Sequence, residues 1–284
     1  MKPSPYQSAP FSLFGGIKSI FLISCIAASL QSAWADNLYK TGFDKPFVAD
    51  APLNGQDGWV TVPVLSPNAA VVTTEKPRIG RQTVEVSGAN LVPQDFIEEL
   101  TNGYYHAIGS YRRAVEFDTE GTHIVKISAM VRVDGKQTAN GNNFFSASIA
   151  GRAVLADGDT AGVGELAISS DGHVYGYSGN EDIPTILTSA PIALGKWHRL
   201  SIVINFGTHK FSFYVGDAFL GEFAFATNNV DENGDPIPYT NVLRRGALIS
   251  YAAPDTSSLK KADYSARYDR FSIKSEESED SWED

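Results

Sequence analysis

The chain has 284 residues, 43% of them hydrophobic, with 23 Lys and Arg against 33 Asp and Glu and a formal net charge of −10. That is enough apolar material for a substantial core, so disorder of the whole chain is excluded, and the acidic balance offers no footprint for nucleic acid or an anionic membrane surface. Cys25 is the single cysteine, which excludes disulfides, cysteine nucleophiles and zinc–thiolate sites from everything that follows it.

In chain order, residues 1–35 read as a signal peptide. Lys2 and Lys18 precede the apolar run SIFLISCIAASL, and SAWA offers small residues at Ala33 and Ala35, which sets cleavage before Asp36 and export to the periplasm or the exterior. The run, about twelve residues, is shorter than the roughly twenty that span a bilayer. An alternative takes LISC, Leu22 to Cys25, as a lipoprotein box, against which the residues after Cys25 stay apolar rather than forming a polar tether.

From Asp36 onward the chain alternates short stretches rich in Val, Ile, Phe and Tyr with Gly, Asn, Asp and Pro, which reads as all-β. In APLNGQDGWV, 51–60, Asn54-Gly55 and Asp57-Gly58 predict a tight turn with positive φ beside Trp59, which reads as a packing tryptophan, with a platform for a sugar ring as the alternative. PQDFIEEL at 93–100 is the best helix candidate, barely two turns long. Strands are expected at 111–118, 143–149, 164–169, 172–178 and 268–273. In THIVKISAMVRVDG, Val125, Ile127, Ala129, Val131 and Val133 share one face before an Asp134-Gly135 turn. In HRLSIVINF the shared face is Leu200, Ile202, Ile204 and Phe206, with Trp197 packing at its start. KFSFYVGDAFLGEF reads as a hairpin turning through Gly216-Asp217. The rhythm runs from about 39 to 273 without a linker, predicting one domain over 36–274 and a solvated acidic tail, SEESEDSWED, over 275–284.

Two groups of residues carry the chemistry of sugar binding, which needs aromatic faces beside hydrogen-bonding side chains. NGYYHAIGSYRR supplies Tyr104, Tyr105, His106, Tyr111 and Arg112, and GHVYGYSG puts His173, Tyr175 and Tyr177 on one strand face; the competing reading is ordinary half-buried sheet tyrosines. The acid-bearing loop NNVDENGDP lacks EF-hand spacing, and DGDTAGVGE lacks the strand–glycine–helix setting of a phosphate loop, so both read as turns. The five histidines form no zinc triad or Ser-His-Asp set.

TGFDKPFVADAPLNGQDGW, RIGRQTVEVSG, GKWHRLSIVINFGTHKFSFYVGDAFLG and ARYDRFSI, taken in that order, resemble the concanavalin A-like lectin/glucanase superfamily, in particular laminin-G-like jelly-roll domains of secreted bacterial proteins. The resemblance implies a two-sheet antiparallel jelly-roll sandwich whose first and last strands pair. It also implies a structural calcium bridging those strands through Asp44 and Asp269, with backbone carbonyls and water completing the shell. Glu116, Asp118 and Glu120 spell E-x-D-x-E, which is similar to the catalytic strand of jelly-roll glucanases such as laminarinases. There the first acid is nucleophile and the last acid/base, about 5 Å apart. Against this, Glu120-Gly121 reads as a hairpin turn. The expectation is an exported, non-catalytic carbohydrate-recognition or surface-interaction module with a polysaccharide or glycan as partner. A glycoside hydrolase or polysaccharide lyase using the three acids, and a structural or adhesive envelope protein, are the alternatives.

Overall fold

The structure is a computed structural model that describes residues 36–61, 66–91, 107–120, 123–138, 145–178, 184–252 and 263–277. The segment 1–35, the helix expected over 93–100, and Tyr104, Tyr105 and His106 lie outside the described residues. Along the first half of the chain run strands β1 (Asp36–Thr41), β2 (Trp59–Thr61), β3 (Ala70–Thr73), β4 (Thr83–Ser87), β5 (Ala107–Asp118), β6 (His123–Asp134) and β7 (Phe145–Leu155). The second half adds β8 (Thr160–Ser169), β9 (Val174–Tyr177), β10 (Thr185–Ile186), β11 (His198–Asn205), β12 (Lys210–Val215), β13 (Ala218–Ala224), β14 (Tyr239–Ala252) and β15 (Ser265–Glu277). Among the described residues the only helix is a 3₁₀ turn over Gly88–Asn90, and no helix is long and apolar enough to cross a membrane.

These strands form two antiparallel sheets, the jelly-roll sandwich that the strand rhythm and the resemblance predict. The eight-stranded sheet has the order β13-β12-β11-β6-β15-β4-β3, with β1 paired to β15; the seven-stranded sheet has the order β10-β9-β8-β7-β14-β5-β2. Each strand is built by alternation. Val125, Ile127, Ala129, Val131 and Val133 of β6 are all buried, as are Leu200, Ile202 and Ile204 of β11 and Phe206 beyond it. β12 and β13 form the expected hairpin, and β15 runs to Glu277, three residues past the domain boundary expected at 274.

The two sheets share one core. Ile127, Ile204, Phe211, Phe213, Phe271 and Ile273 of the eight-stranded sheet meet Tyr111, Phe145, Ile149, Leu166 and Leu248 of the seven-stranded one, which sets glycine against some of the largest rings. A Cβ on Gly246 would lie 2.8 Å from the Phe271 ring, and one on Gly176 2.6 Å from that of Phe213, so larger residues there would force the layers apart.

The first and last strands lie side by side, with Thr41 opposite Phe271. Trp59 closes that end of the sandwich. It is fully buried, its ring centroid 5.1 Å from that of Phe271 and 5.9 Å from that of Phe43, and its Nε1 donates to the Tyr39 hydroxyl at 2.9 Å. Asp57, Gly58 and Gly55 take positive φ in the turn before it.

Candidate functional site

The outer face of the seven-stranded sheet gathers more chemistry than any other described surface. Register aligns five side chains across five strands: Arg112 of β5 opposes Ala247 of β14, which opposes Ala150 of β7, which opposes Glu165 of β8, which opposes Tyr177 of β9. Arg112 and Tyr177 are therefore four strand spacings apart, about 19 Å. Between them the floor is small. The neighbouring row is Ser110, Ile249, Ser148, Ala167 and Tyr175, and the row on the other side sets Arg245 directly opposite Arg152. Polar and aromatic groups thus flank a strip of alanine and serine that is itself buried.

Glu165 reaches this face through a β-bulge. Arg152 opposes Gly162 and Ala150 opposes Glu165, so Val163 and Gly164 together face the single residue Gly151. Val163 is buried in the core, and a Cβ on Gly164 would lie 2.9 Å from Phe211, so both point inward. The extra residue sends Glu165 outward. There its Oε1 accepts a hydrogen bond from the Ser148 hydroxyl at 2.5 Å. Burial pushes the Glu165 carboxyl above its ordinary range, outweighing the Ser148 bond and the charge of Arg152 that favour the anion. Burial also holds the Tyr177 phenol up, with the Glu165 charge adding to it.

The guanidinium groups push one another in the opposite direction. Burial, then the charges of Arg245 and Arg152, bring Arg112 down to about 10. Arg245 is lowered by burial and by Arg152 and Arg244. Among the described residues none of the three forms an ion pair. Arg112 Nε donates to Ser110 Oγ at 3.4 Å, and Arg245 Nη2 to Thr160 Oγ1 at 2.6 Å, while the buried Nε of Arg245 has no partner.

The residues expected from sequence are distributed unevenly around this face. Arg112, Tyr175 and Tyr177 lie on it. The Tyr175 hydroxyl donates to Asp171 Oδ2 at 2.6 Å, and Asp171 Oδ1 accepts from the amide of His173 at 2.9 Å. His173 Nδ1 lies 3.1 Å from the Thr188 carbonyl oxygen, which ties that ring to the loop beyond β10. Tyr111 points the other way: it is fully buried in the core and its hydroxyl donates to the Ser66 carbonyl at 2.9 Å. Alternation along β5 that carries Arg112 outward carries Tyr111 inward.

Glu116, Asp118 and Glu120 gather at the far end of β5. A second bulge sets Val115 and Glu116 against Arg244 alone, with Glu116 at φ 47°, and the Glu116 carboxylate pairs with Arg244 at 3.4 Å while 61% exposed. Asp118 Oδ1 accepts from the amide of Glu120, itself at φ 50° in the turn after the strand. The turn expected as a hairpin separates the sheets instead, since β5 lies in one and β6 in the other.

Asp44 and Asp269 both grip the loop before β4. Asp44 Oδ1 accepts from the amides of Arg81 and Gln82 at 2.8 and 3.1 Å, and Asp269 Oδ2 from those of Arg78 and Ile79 at 2.9 and 3.1 Å. Asp269 Oδ1 also accepts from the amide of Arg270 at 2.7 Å. A Cβ on Gly42 would lie 3.8 Å from Asp269 Oδ1 and 3.9 Å from Asp44 Oδ2, so both carboxylates flank Gly42. Among the described residues no third His, Cys, Asp or Glu joins them.

Sequence reasoning missed Glu165, Arg152, Arg245 and Ser148. Glu165 closes a glycine-bearing stretch that reads as a turn, and the bulge that turns it outward leaves no trace in a hydrophobic pattern. The available signal was Ala150, Gly151 and Gly162, small residues in strands otherwise built from large ones.

No protein-family model matches the sequence, and no curated protein matches it significantly. Solved structures do. An endo-1,3-beta-glucanase from Streptomyces sioyaensis superposes with a TM-score of 0.51 at 12% identity, over 84% of this chain and 96% of that one. A structure described under endo-acting O-glycanases of human gut microbiota gives 0.49 at 12% identity, over 85% and 100%. A sialidase gives 0.42 at 12% identity, covering 82% of this chain, which spans only 19% of the sialidase's length. Together with the sheet order, the glucanase superposition establishes the fold as a concanavalin A-like jelly-roll sandwich.

Proposed function

We propose that this chain is an exported carbohydrate-recognition module that holds a glycan along the outer face of its seven-stranded sheet without cleaving it. The reading rests on the row from Arg112 to Tyr177. Tyr177 supplies aromatic surface for the C–H side of a sugar ring, Arg112 and Glu165 supply donors and acceptors for hydroxyls, and the alanines keep the floor low, while the buried Tyr175 and Ser148 support the face from beneath. The glucanase that shares the fold acts on a glucan, as its name states, and only that class, a sugar polymer, is extended here.

A second reading, glycoside hydrolase or polysaccharide lyase, has its own observation in Glu165. A carboxyl whose proton is held more tightly by burial, beside a tyrosine and an arginine, is the kind of group that gives a proton to a leaving oxygen. The deciding experiment combines a glycan array with an assay for released sugar ends, on the chain starting at Asp36. Binding without release supports the recognition module. Release that disappears in Glu165→Gln replaces it with the enzyme, and a blank array together with no release removes both.

Export and calcium belong to the same proposal. N-terminal sequencing of protein from the cell exterior or periplasm should begin at Asp36, and a lipid found on Cys25 would favour the anchored alternative. The calcium has a narrow seat: Asp44 Oδ2 and the spare lone pairs of Asp269 Oδ1, with carbonyls and water supplying the rest of six to eight oxygens. A lower Tm in chelator supports the ion; an unchanged Tm leaves the bridging to the amides.

A further inference from the structure

Three guanidinium groups on one sheet face are expensive unless something neutralises them. Arg245 and Arg152 are cross-strand partners, so their Cβ atoms are about 5 Å apart, and Arg112 opposes Ala247, two residues along β14 from Arg245 on the same face. Like charges placed directly opposite each other destabilise a sheet. The chain carries 33 acidic residues, yet among the described residues none forms an ion pair with these arginines and the Arg152 side chain makes no hydrogen bond. Glu165, the acid one strand away from Ala150, is engaged by Ser148 instead. The floor beneath the trio is Ala247 and Ala150, too short to reach the guanidiniums. The cluster therefore presents a preorganised, unneutralised positive field within a protein whose overall charge is negative.

We infer that Arg112, Arg152 and Arg245 form a subsite for an oxyanion carried by a sugar, a carboxylate or a sulfate. This rests on the glycan-recognition reading and narrows it to acidic polysaccharides. Planar guanidinium forks match both groups through paired N–H···O bonds, and the buried Arg245 Nε, which has no partner among the described residues, gains one. The tyrosine side of the face then receives the uncharged body of the same or the next residue.

The test measures affinity for three polymers: a polyuronate, a sulfated dextran and unmodified dextran, each at low and high salt. The wild-type protein should bind at least one of the acidic polymers about tenfold or more tightly than dextran, and that margin should shrink in high salt. Arg152→Gln should cost about tenfold or more on the acidic polymer while leaving dextran binding unchanged, and Arg112→Gln should cost more on the acidic polymer than on dextran. Their Tm should stay level or rise, because a repulsion has been removed; a structural role would lower it. Which acidic polymer responds separates carboxylate from sulfate. Equal affinity for all three, or arginine variants that bind acidic polymer normally, would overturn the subsite and leave glycan recognition standing. Failure to bind any polymer would remove both.

Discussion

Arg267 shows what a single residue holds together in the other sheet. Its guanidinium, with its side chain 5% exposed, pairs with Glu85 of β4 at 2.8 Å and with Asp134 of β6. Burial pushes the Asp134 carboxyl up, but the Arg132 hydrogen bond and the Arg267 and Arg132 charges outweigh it and hold it below its ordinary 3.8. Arg267→Met strands the partly buried Glu85 carboxylate and leaves Asp134 to Arg132 alone, and we expect it to cost about 3 kcal/mol in urea unfolding near neutral pH. The sign of its pH dependence follows from the lowered carboxyl. That group's contribution is complete above 3.8 and is lost as pH falls through the folded value, so the variant's deficit should shrink in acid. None of this was legible in ARYDRFSI, because the partners stand 133 and 182 positions away in sequence. Trp59 was legible because the turn that buries it is adjacent to it.

At the scale of elements, periodicity succeeds where a strand is regular and fails where it is interrupted. β6 and β11 were readable from alternation alone, whereas of β8 only the stretch 164–169 was read as strand and its facing was not, since a bulge at Val163-Gly164 changes the face of every later residue. The same limit affects β5, whose acids appear in sequence as one even series although the bulge at Glu116 bends the strand beneath them. Gly164 sits at φ 106° with Phe211 2.9 Å from any Cβ, so Gly164→Ala should cost more than about 1 kcal/mol by thermal melt and weaken glycan binding as Glu165 shifts. Glu165 gives β8 a measurable signature as well. Its carboxyl is raised in the folded protein, which therefore holds more protons than the unfolded chain from the ordinary value of 4.5 upward until Glu165 ionises. Stability falls as pH rises through that window, and Glu165→Gln should flatten the decline in a melt series from pH 4 to about 7. A variant that keeps the wild-type slope would mean that Arg152 and Ser148 already compensate the buried charge.

The whole molecule stands or falls on both sheets sharing one core. Pairing of its first and last strands was readable because motifs at the two ends carry it, while the binding face, assembled from five strands and two bulges, was not. Phe271 sits where these facts meet. It lies on β15, stacks against Trp59 and Tyr39, and contacts the position of Gly246 in the opposite sheet, so its ring links the closing strand to both layers. Removing it leaves a cavity that neither sheet can fill alone, and we expect Phe271→Ala to cost about 3–5 kcal/mol. Because the core cluster runs unbroken through both sheets, the loss should be felt everywhere at once. Far-ultraviolet circular dichroism, which reports all strands, and the fluorescence of buried Trp59 at the closed end, isolated by Trp197→Phe and Trp282→Phe, should give coincident urea transitions with and without Phe271→Ala, shifted together with the slope unchanged. Separation of the two curves in the variant would show that the closed end unfolds ahead of the sheets, and that the pairing of β1 with β15 is a local seal rather than part of the common core.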